Sequence, residues 1–305
     1  MPIPTNGDVR LSLDAVIVAV TNGEPRVLVV DATDRPSLPA GPLDPAEDQT
    51  LELAMRRCIA EQTGLSVGYV EQLYTFGDLG RRPGADDGRS ISVAYLALVE
   101  ESSPTPSARW VNIYDLFPWE DHRDGRPDAL EATLTPALTS WADQNQASDA
   151  AQRLAVAFGA TWDGIRVIER FELLYEAGLV AEHALDRAQP VIEQAGSGQA
   201  LALDHRRIVT TALSRLRGKL TYRPVVFELL SPTFTLLDLQ RTVEALAGVR
   251  LHKQNFRRLI ERSGLVEGTG TRVSVGAGRP AELFRYRPDV QLERPRPGVG
   301  QPYRS

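Results

Sequence analysis

Cysteine, histidine and long apolar runs are scarce in this chain. Cys58 is its single cysteine, which excludes a disulfide framework and a multi-cysteine zinc site. The four histidines are scattered without metal-ligand spacing, so neither a metal site nor a cofactor is expected. No run approaches the ~20 apolar residues that span a bilayer. Residues 1–6 lack a basic region followed by an apolar stretch, so no signal peptide is expected. A cytoplasmic protein with no membrane contact is the expectation. Its 305 residues suffice for two or three domains, and 42% apolar content supports real cores.

Charge is unevenly divided. Residues 205–305 hold 19 Lys and Arg against 8 Asp and Glu, a net +11, whereas residues 1–204 carry −17. An acidic protein with one basic third presents that third to a polyanion. The basic third has a recognisable order. Thr235 is placed to cap a helix, with Asp238 completing a capping box. Leu236, Leu239, Val243 and Leu246 form its apolar stripe, and Gly248 ends it. A second helix has Phe256, Leu259 and Ile260 on one face and stops at Gly264. Its other face carries Lys253, Gln254, Asn255, Arg257 and Arg258, residue types that reach phosphates and base edges. Strands near residues 265–267 and 272–275 precede one at 282–287. The loop between the last two contains Arg279 and suits a wing tip at the minor groove. Together these predict a winged helix-turn-helix that binds duplex DNA through Lys253, Gln254, Asn255, Arg257, Arg258 and Arg279. A basic, solvated helix pair without a special role is the alternative.

The N-terminal part alternates differently. Residues 11–20 read as a strand, Asn22 and Gly23 as a turn, and residues 26–30 as the neighbouring strand. A proline-rich loop covers residues 36–45. Thr50 caps a helix to Thr63, and Gly64 ends it. Residues 67–76 and 90–99 are further strands, joined by a polar, glycine-rich loop. This order gives an α+β pattern, a mixed sheet packed by helices. Helices follow over residues 128–144, 150–158, 163–177, 181–194 (bent at Pro190) and 205–220. The last is basic, with Arg206, Arg207, Arg215, Arg217 and Lys219. Residues 222–230 read as the first helix of the winged domain.

Residues Arg57, Ile59, Glu61, Gly64 and Leu65 resemble the end of a Nudix box. Cys58 and Gln62 stand where the hydrolases of that family have glutamates. The interval from Gly41 to Arg57 is two residues longer than the family pattern, and its fixed-spacing glutamate falls on Gln49. Positions 58, 61 and 62 share one helix face. Divalent cations such as Mg²⁺ want hard oxygen ligands there, and one carboxylate, one amide and one thiol supply them poorly. The resemblance therefore implies a nucleotide-shaped cleft that has lost its reaction. Phe76, Asp78, Arg81, Arg82 and Arg89 could supply ring stacking and phosphate contacts; a solvated loop is the alternative.

A degenerate Nudix box followed by Asn255, Phe256, Arg257, Arg258 and then Gly278, Arg279, Pro280, Ala281 resembles the Nudix-related regulators of NAD metabolism, the NrtR and NadQ-type proteins. The resemblance covers residues 9–116 and 200–288, and the expected division is a Nudix-like α/β/α sandwich at 9–146, a helical insert at 147–203 and a winged helix-turn-helix at 204–290, followed at 291–305 by a tail whose prolines and arginines predict disorder. The resemblance also implies a homodimeric repressor of NAD biosynthesis or salvage genes, partnered by a double-stranded DNA operator and a small nucleotide effector such as ADP-ribose, NAD(P) or ATP. The rival from another class is a metal-dependent pyrophosphohydrolase acting on ADP-ribose or a related dinucleotide. An RNA-binding adaptor is a third reading, disfavoured by the residue types of the second helix.

Overall fold

The computed structural model describes residues 9–77, 89–145, 149–159, 161–192, 194–274 and 280–290. Strand β1 (Val9–Thr21) is the spine of a mixed sheet. Its hairpin partner β2 (Glu24–Val30) follows a turn in which Asn22 and Gly23 have φ of 56° and 78°. Two consecutive positive φ values match the right-handed twist of a two-residue hairpin. The short β3 (Ala40–Pro42) also pairs with β1, inside what reads from sequence as a loop. Strands β4 (Tyr69–Phe76), β5 (Arg89–Leu98) and β6 (Ala108–Asn112) complete the order β4-β5-β1-β2-β6. Among the described residues, only β1 and β5 run parallel.

Helix α1 (Leu51–Thr63) covers one face of this sheet. Thr50 accepts a bond from the Leu53 N–H, and Gly64 ends the helix at φ 70°. Ala54, Met55 and Ile59 pack on Leu13, Ile17, Val93 and Tyr95. The opposite face, with Val16, Val18, Val27, Val29, Leu96 and Leu98, is covered by elements from far along the chain. They are α2 (Ile113–Leu116), the long helix α7 (His205–Leu220) and α8 (Leu236–Ala247). One apolar core thus runs from the sheet into the C-terminal domain.

Between α2 and α7 lie α3 (Thr135–Gln144), α4 (Ala150–Phe158), α5 (Val167–Glu176) and α6 (Ala181–Leu185). A π-helical turn at Leu130–Leu134 precedes α3. Helix α5 starts later than expected, because Asp163 accepts the Ile165 N–H in a local turn and the helix begins only after it. Helix α6 stops nine residues short of the expected 194. The chain leaves it through Ala188 at φ 50°, ahead of Pro190, whose ring disfavours helical geometry in the preceding residue.

The C-terminal domain begins with a 3-10 turn at Val225–Leu229 where a full helix was expected. Helices α8 and α9 (Lys253–Ser263) follow, then β7 (Val266–Val273) and β8 (Ala281–Tyr286). Strand β7 pairs with β8 in two stretches, Val266 to Gly268 and Arg272 to Val273, separated by a register shift, which is where the sequence suggested two short strands. Phe234 exchanges two backbone bonds with Phe284, adding a third short edge to the hairpin. Phe227 stacks on Tyr286 with ring centroids 4.5 Å apart.

Helix α7 is not a free basic face. Arg206 pairs with Glu182, Arg207 with Glu172, Arg215 and Lys219 with Glu71, and Arg217 with Glu120. Its charge is spent inside the protein. Further along, α9 carries Lys253, Arg257 and Arg258, which have no carboxylate partner among the described residues.

Candidate nucleic-acid interface and nucleotide cleft

Helix α8 is fixed at both ends. Thr235 and Asp238 form the reciprocal capping box, and Gly248 ends the helix at φ 69°. A Cβ at Gly248 would press on the Glu120 carbonyl and the Arg217 guanidinium. The turn delivers α9, which buries Phe256 and Ile260. Lys253, Gln254, Asn255, Arg257 and Arg258 are all exposed on its other face. Among the described residues, no carboxylate pairs with Lys253, Arg257 or Arg258. Arg279 lies outside the described residues.

The end of α8 is gripped by groups from elsewhere. Arg217 of α7 donates from Nε to the Leu246 carbonyl at 2.9 Å. The Tyr114 hydroxyl donates to the Ala245 carbonyl at 2.5 Å, and the His122 N–H to the Gly248 carbonyl at 2.7 Å. These are among the carbonyls that a helix C-terminus leaves unpaired. Behind them Glu120 is fully buried between Arg170 and Arg217. Arg170 reaches its two carboxylate oxygens at 2.5 and 2.9 Å and lies 3.9 Å from the Trp162 ring centroid. Burial pushes the Glu120 carboxyl up, but the two guanidinium charges and their hydrogen bonds outweigh it and hold the carboxyl below its ordinary value. Burial likewise pushes the Tyr114 phenol up, to about 12. This cluster joins the sheet domain, the helical segment and the helix-turn-helix. Nothing in the sequence marks it, because its members are spread from Tyr114 to Gly248.

The residues of the Nudix-like helix are committed elsewhere. Arg57 pairs with Asp48 at 2.8 Å and with Glu61 at 3.2 Å. The hydrogen bond from Arg57 holds the Asp48 carboxyl below its ordinary value. Gln62 accepts the Ala40 N–H at 3.1 Å and donates its amide to the Ala40 carbonyl, clamping β3. Cys58 is buried against Gly41, where a Cβ would collide with its sulfur. Burial pushes the Cys58 thiol up, so it is not a thiolate at neutral pH. Among the described residues, no three His, Cys, Asp or Glu side chains gather as a metal site. A donor set of one already-paired carboxylate, one engaged amide and one buried thiol does not fit a divalent cation.

Of the expected ligand residues, the structure describes Phe76 and Arg89; Asp78, Arg81 and Arg82 lie outside the described residues. Arg89 donates to the Gly77 carbonyl at 2.8 and 2.7 Å, tying the start of β5 to the end of β4. Phe76 lines a cavity of about 1060 Å³ with Tyr74, Thr75, Gly77, Ile168, Tyr175 and Arg187. A smaller groove of about 450 Å³ opens beside Gly41, walled by Arg10, Ser12, Pro42 and Ser90. Sequence reasoning reached the β4 wall of the large cavity and missed the helical one, whose residues carry no motif.

A six-stranded mixed sheet with a helix on one face, fused through a core-buried helix to a helix-turn-helix with a β-hairpin wing, defines a two-domain class: a Nudix-type domain carrying a winged helix. Family models agree. Residues 11–132 match the NUDIX domain and residues 226–286 the NrtR DNA-binding winged helix domain. The chain therefore carries a NUDIX domain followed by a winged helix domain that matches the DNA-binding domain of NrtR. A relative, the ADPR responsive transcriptional repressor NtrR of Acinetobacter baylyi, is 25% identical over 281 residues, covering 90% of this chain and 81% of that one. The fold is similar to Shewanella oneidensis NrtR complexed with a 27mer DNA, at TM-score 0.58 and 23% identity over 92% of this chain and 95% of that one. It is also similar to a MutT/nudix family protein from Enterococcus faecalis, at TM-score 0.56 and 17% identity over 94% of this chain and 90% of that one. No helix among the described residues is long and apolar enough to cross a membrane.

Proposed function

We propose that this protein is a DNA-binding transcriptional repressor of NAD biosynthesis or salvage genes, whose operator affinity is set by ADP-ribose or a related nucleotide. One observation carries the reading. The exposed face of α9 presents Lys253, Gln254, Asn255, Arg257 and Arg258, while the rest of the same domain is locked to a Nudix sheet. The likeness to an ADPR-responsive repressor supports the choice of effector.

The protein acts as a cytoplasmic homodimer, with two winged helices reading half-sites about one DNA turn apart. The α9 residues dock in the major groove, and Arg279 at the wing meets the minor groove or its phosphates. The Nudix domain senses and does not hydrolyse, because Cys58, Glu61 and Gln62 are engaged in packing and hydrogen bonds. Phe76, Asp78, Arg81, Arg82 and Arg89 hold the nucleotide. The nucleotide changes DNA affinity only by its differential affinity for two dimer geometries, typically ~1–3 kcal/mol of coupling.

Fluorescence anisotropy tests this with DNA from upstream of the protein's own gene and of neighbouring NAD-synthesis genes, at stated salt, with and without ADP-ribose, NAD, NADP and ATP. Sequence-selective binding shifted by one nucleotide is expected, and Arg257→Ala and Arg279→Ala should weaken it. Weak, salt-sensitive binding to any DNA, unchanged by either substitution, would refute the reading. Hydrolysis of ADP-ribose with Mg²⁺ would show that the Nudix domain still catalyses.

A further inference from the structure

The groove beside Gly41 opens where β1 and β5 begin. Arg10, Ser12 and Ser90 wall one side, and Ala40, Gly41 and Pro42 of β3 the other. Ser92 of β5 stands next to it, in register with Ser12 of β1 and with Phe76 of β4. Side chains two apart on a strand share a face. Asp14 therefore follows Ser12, and Ser92 follows Ser90, on the side of the sheet that α7 covers. Asp14 is 2% exposed and Ser92 fully buried, and Ser92 Oγ donates to Asp14 Oδ2. Two buried polar side chains thus back directly onto the groove, at the point where α7 begins.

His205, the first residue of α7, meets them there and is itself buried. Its Nε2 lies 3.8 Å from Asp14 Oδ1. Its Nδ1 accepts the backbone N–H of Leu38 at 2.9 Å. A ring nitrogen that accepts a bond carries no proton, so the N–H of the imidazole is on Nε2, facing Asp14. Leu38 belongs to the segment that carries β3. In the same segment the Pro36 carbonyl accepts the Ala202 N–H at 2.8 Å, and the Pro39 carbonyl accepts the Ala15 N–H at 2.9 Å. Residues 36–42 thus have one edge in the groove and the other on the start of α7. The Leu38 bond is the one that a side chain of α7 supplies.

Helix α7 carries that attachment to the DNA-reading domain. Its 16 residues span ~24 Å. His205 stands at one end; near the other, Arg217 donates to the Leu246 carbonyl at the end of α8. We propose that His205 couples nucleotide binding in the Nudix groove to the helix-turn-helix. It is a positioning residue that joins the β3 wall of the groove to α7 through the Leu38 N–H, and to the sheet through Asp14. The inference rests on the nucleotide-sensing reading above and deepens it by naming the connection. A nucleotide seated against Gly41 favours one placement of residues 36–42, and His205 passes that preference to α7. Coupling between two ligands is reciprocal, so operator DNA held by α9 acts back on the groove through the same ring.

The test measures coupling in the full chain, by calorimetric titration with ADP-ribose and by operator anisotropy with and without it. In the unaltered protein ADP-ribose should change the operator Kd by a factor of about 5–150. His205→Leu leaves the Leu38 N–H without its acceptor and should bring that factor to within about twofold of unity, while the Kd for ADP-ribose alone and the Kd for operator alone each move less than about threefold. His205→Asn keeps a side-chain acceptor near the Leu38 N–H and should restore most of the factor. Amide hydrogen exchange of the unaltered protein needs no variant, and decides the matter should His205→Leu fail to fold: ADP-ribose should change exchange at the Leu38 and Ala202 amides. An unchanged factor in His205→Leu, or exchange at both amides indifferent to ADP-ribose, would overturn the role of His205 while leaving the sensing reading intact. Loss of both separate affinities in a folded His205→Leu would make the residue structural only, and would overturn it too. ADP-ribose that fails to bind the unaltered protein, or binds without moving its operator affinity, would overturn the sensing reading and this inference together.

Discussion

Glu120→Ala is the sharpest perturbation this structure offers. Glu120 and Arg170 are fully buried, and Arg217 is 4% exposed. The carboxylate is the anion shared by both guanidiniums. Removing it strands two buried cations whose other partners are carbonyls and a ring. Breaking one buried pair typically costs ~3–5 kcal/mol. Two cations share the loss, so the cost should reach the upper part of that range, against a total stability of about 5–15 kcal/mol. The assay is the urea midpoint at neutral pH, with Glu120→Gln alongside to keep the shape without the charge. The pH dependence has a definite sign. Because the folded carboxyl titrates below the ordinary value of 4.5, the stability it contributes is fully present above that pH. It is lost as pH falls through the lower folded value. The unaltered protein should therefore lose stability steeply on the acid side, and Glu120→Gln should lose less there. A midpoint shift worth under ~1 kcal/mol in Glu120→Ala, or identical acid profiles, would show that the cluster does not hold the domains together.

Three further outcomes are expected. Thr235→Ala removes the capping box of α8 and should cost about 1 kcal/mol in urea unfolding, with Thr235→Ser costing much less; equal losses would rule out the cap as the cause. Cys58 is buried, with a thiol pushed up by burial, so an aromatic disulfide reagent at pH 7 should modify it only as fast as the protein opens, and immediately in denaturant. Rapid modification of the folded protein would contradict the packing against Gly41. Arg258→Ala should lower the slope of log Kobs against log salt by about 1 if Arg258 contacts a phosphate. An unchanged slope with altered base preference would place it on a base edge.

The sequence determined the local elements whose signals are short-range. The Asn22 and Gly23 turn, the Thr50 and Thr235 caps, and the Gly64, Gly248 and Gly264 stops each depend on a few adjacent residues, and each stands where the sequence places it. The order of motifs also sufficed for a Nudix-type domain followed by a winged helix, and the period of α9 for separating its buried and exposed faces. Tertiary structure decided what depends on distant partners. The charge of α7 reads as a basic stripe in one dimension. In three it is neutralised by Glu71, Glu120, Glu172 and Glu182, which lie up to 148 positions away. The clamp on α8 and the cavity beside β4 are likewise assembled from segments that no sequence period links. Burial and pairing of charges are set by the whole fold, because the low dielectric that makes a pair decisive exists only once other elements have excluded water.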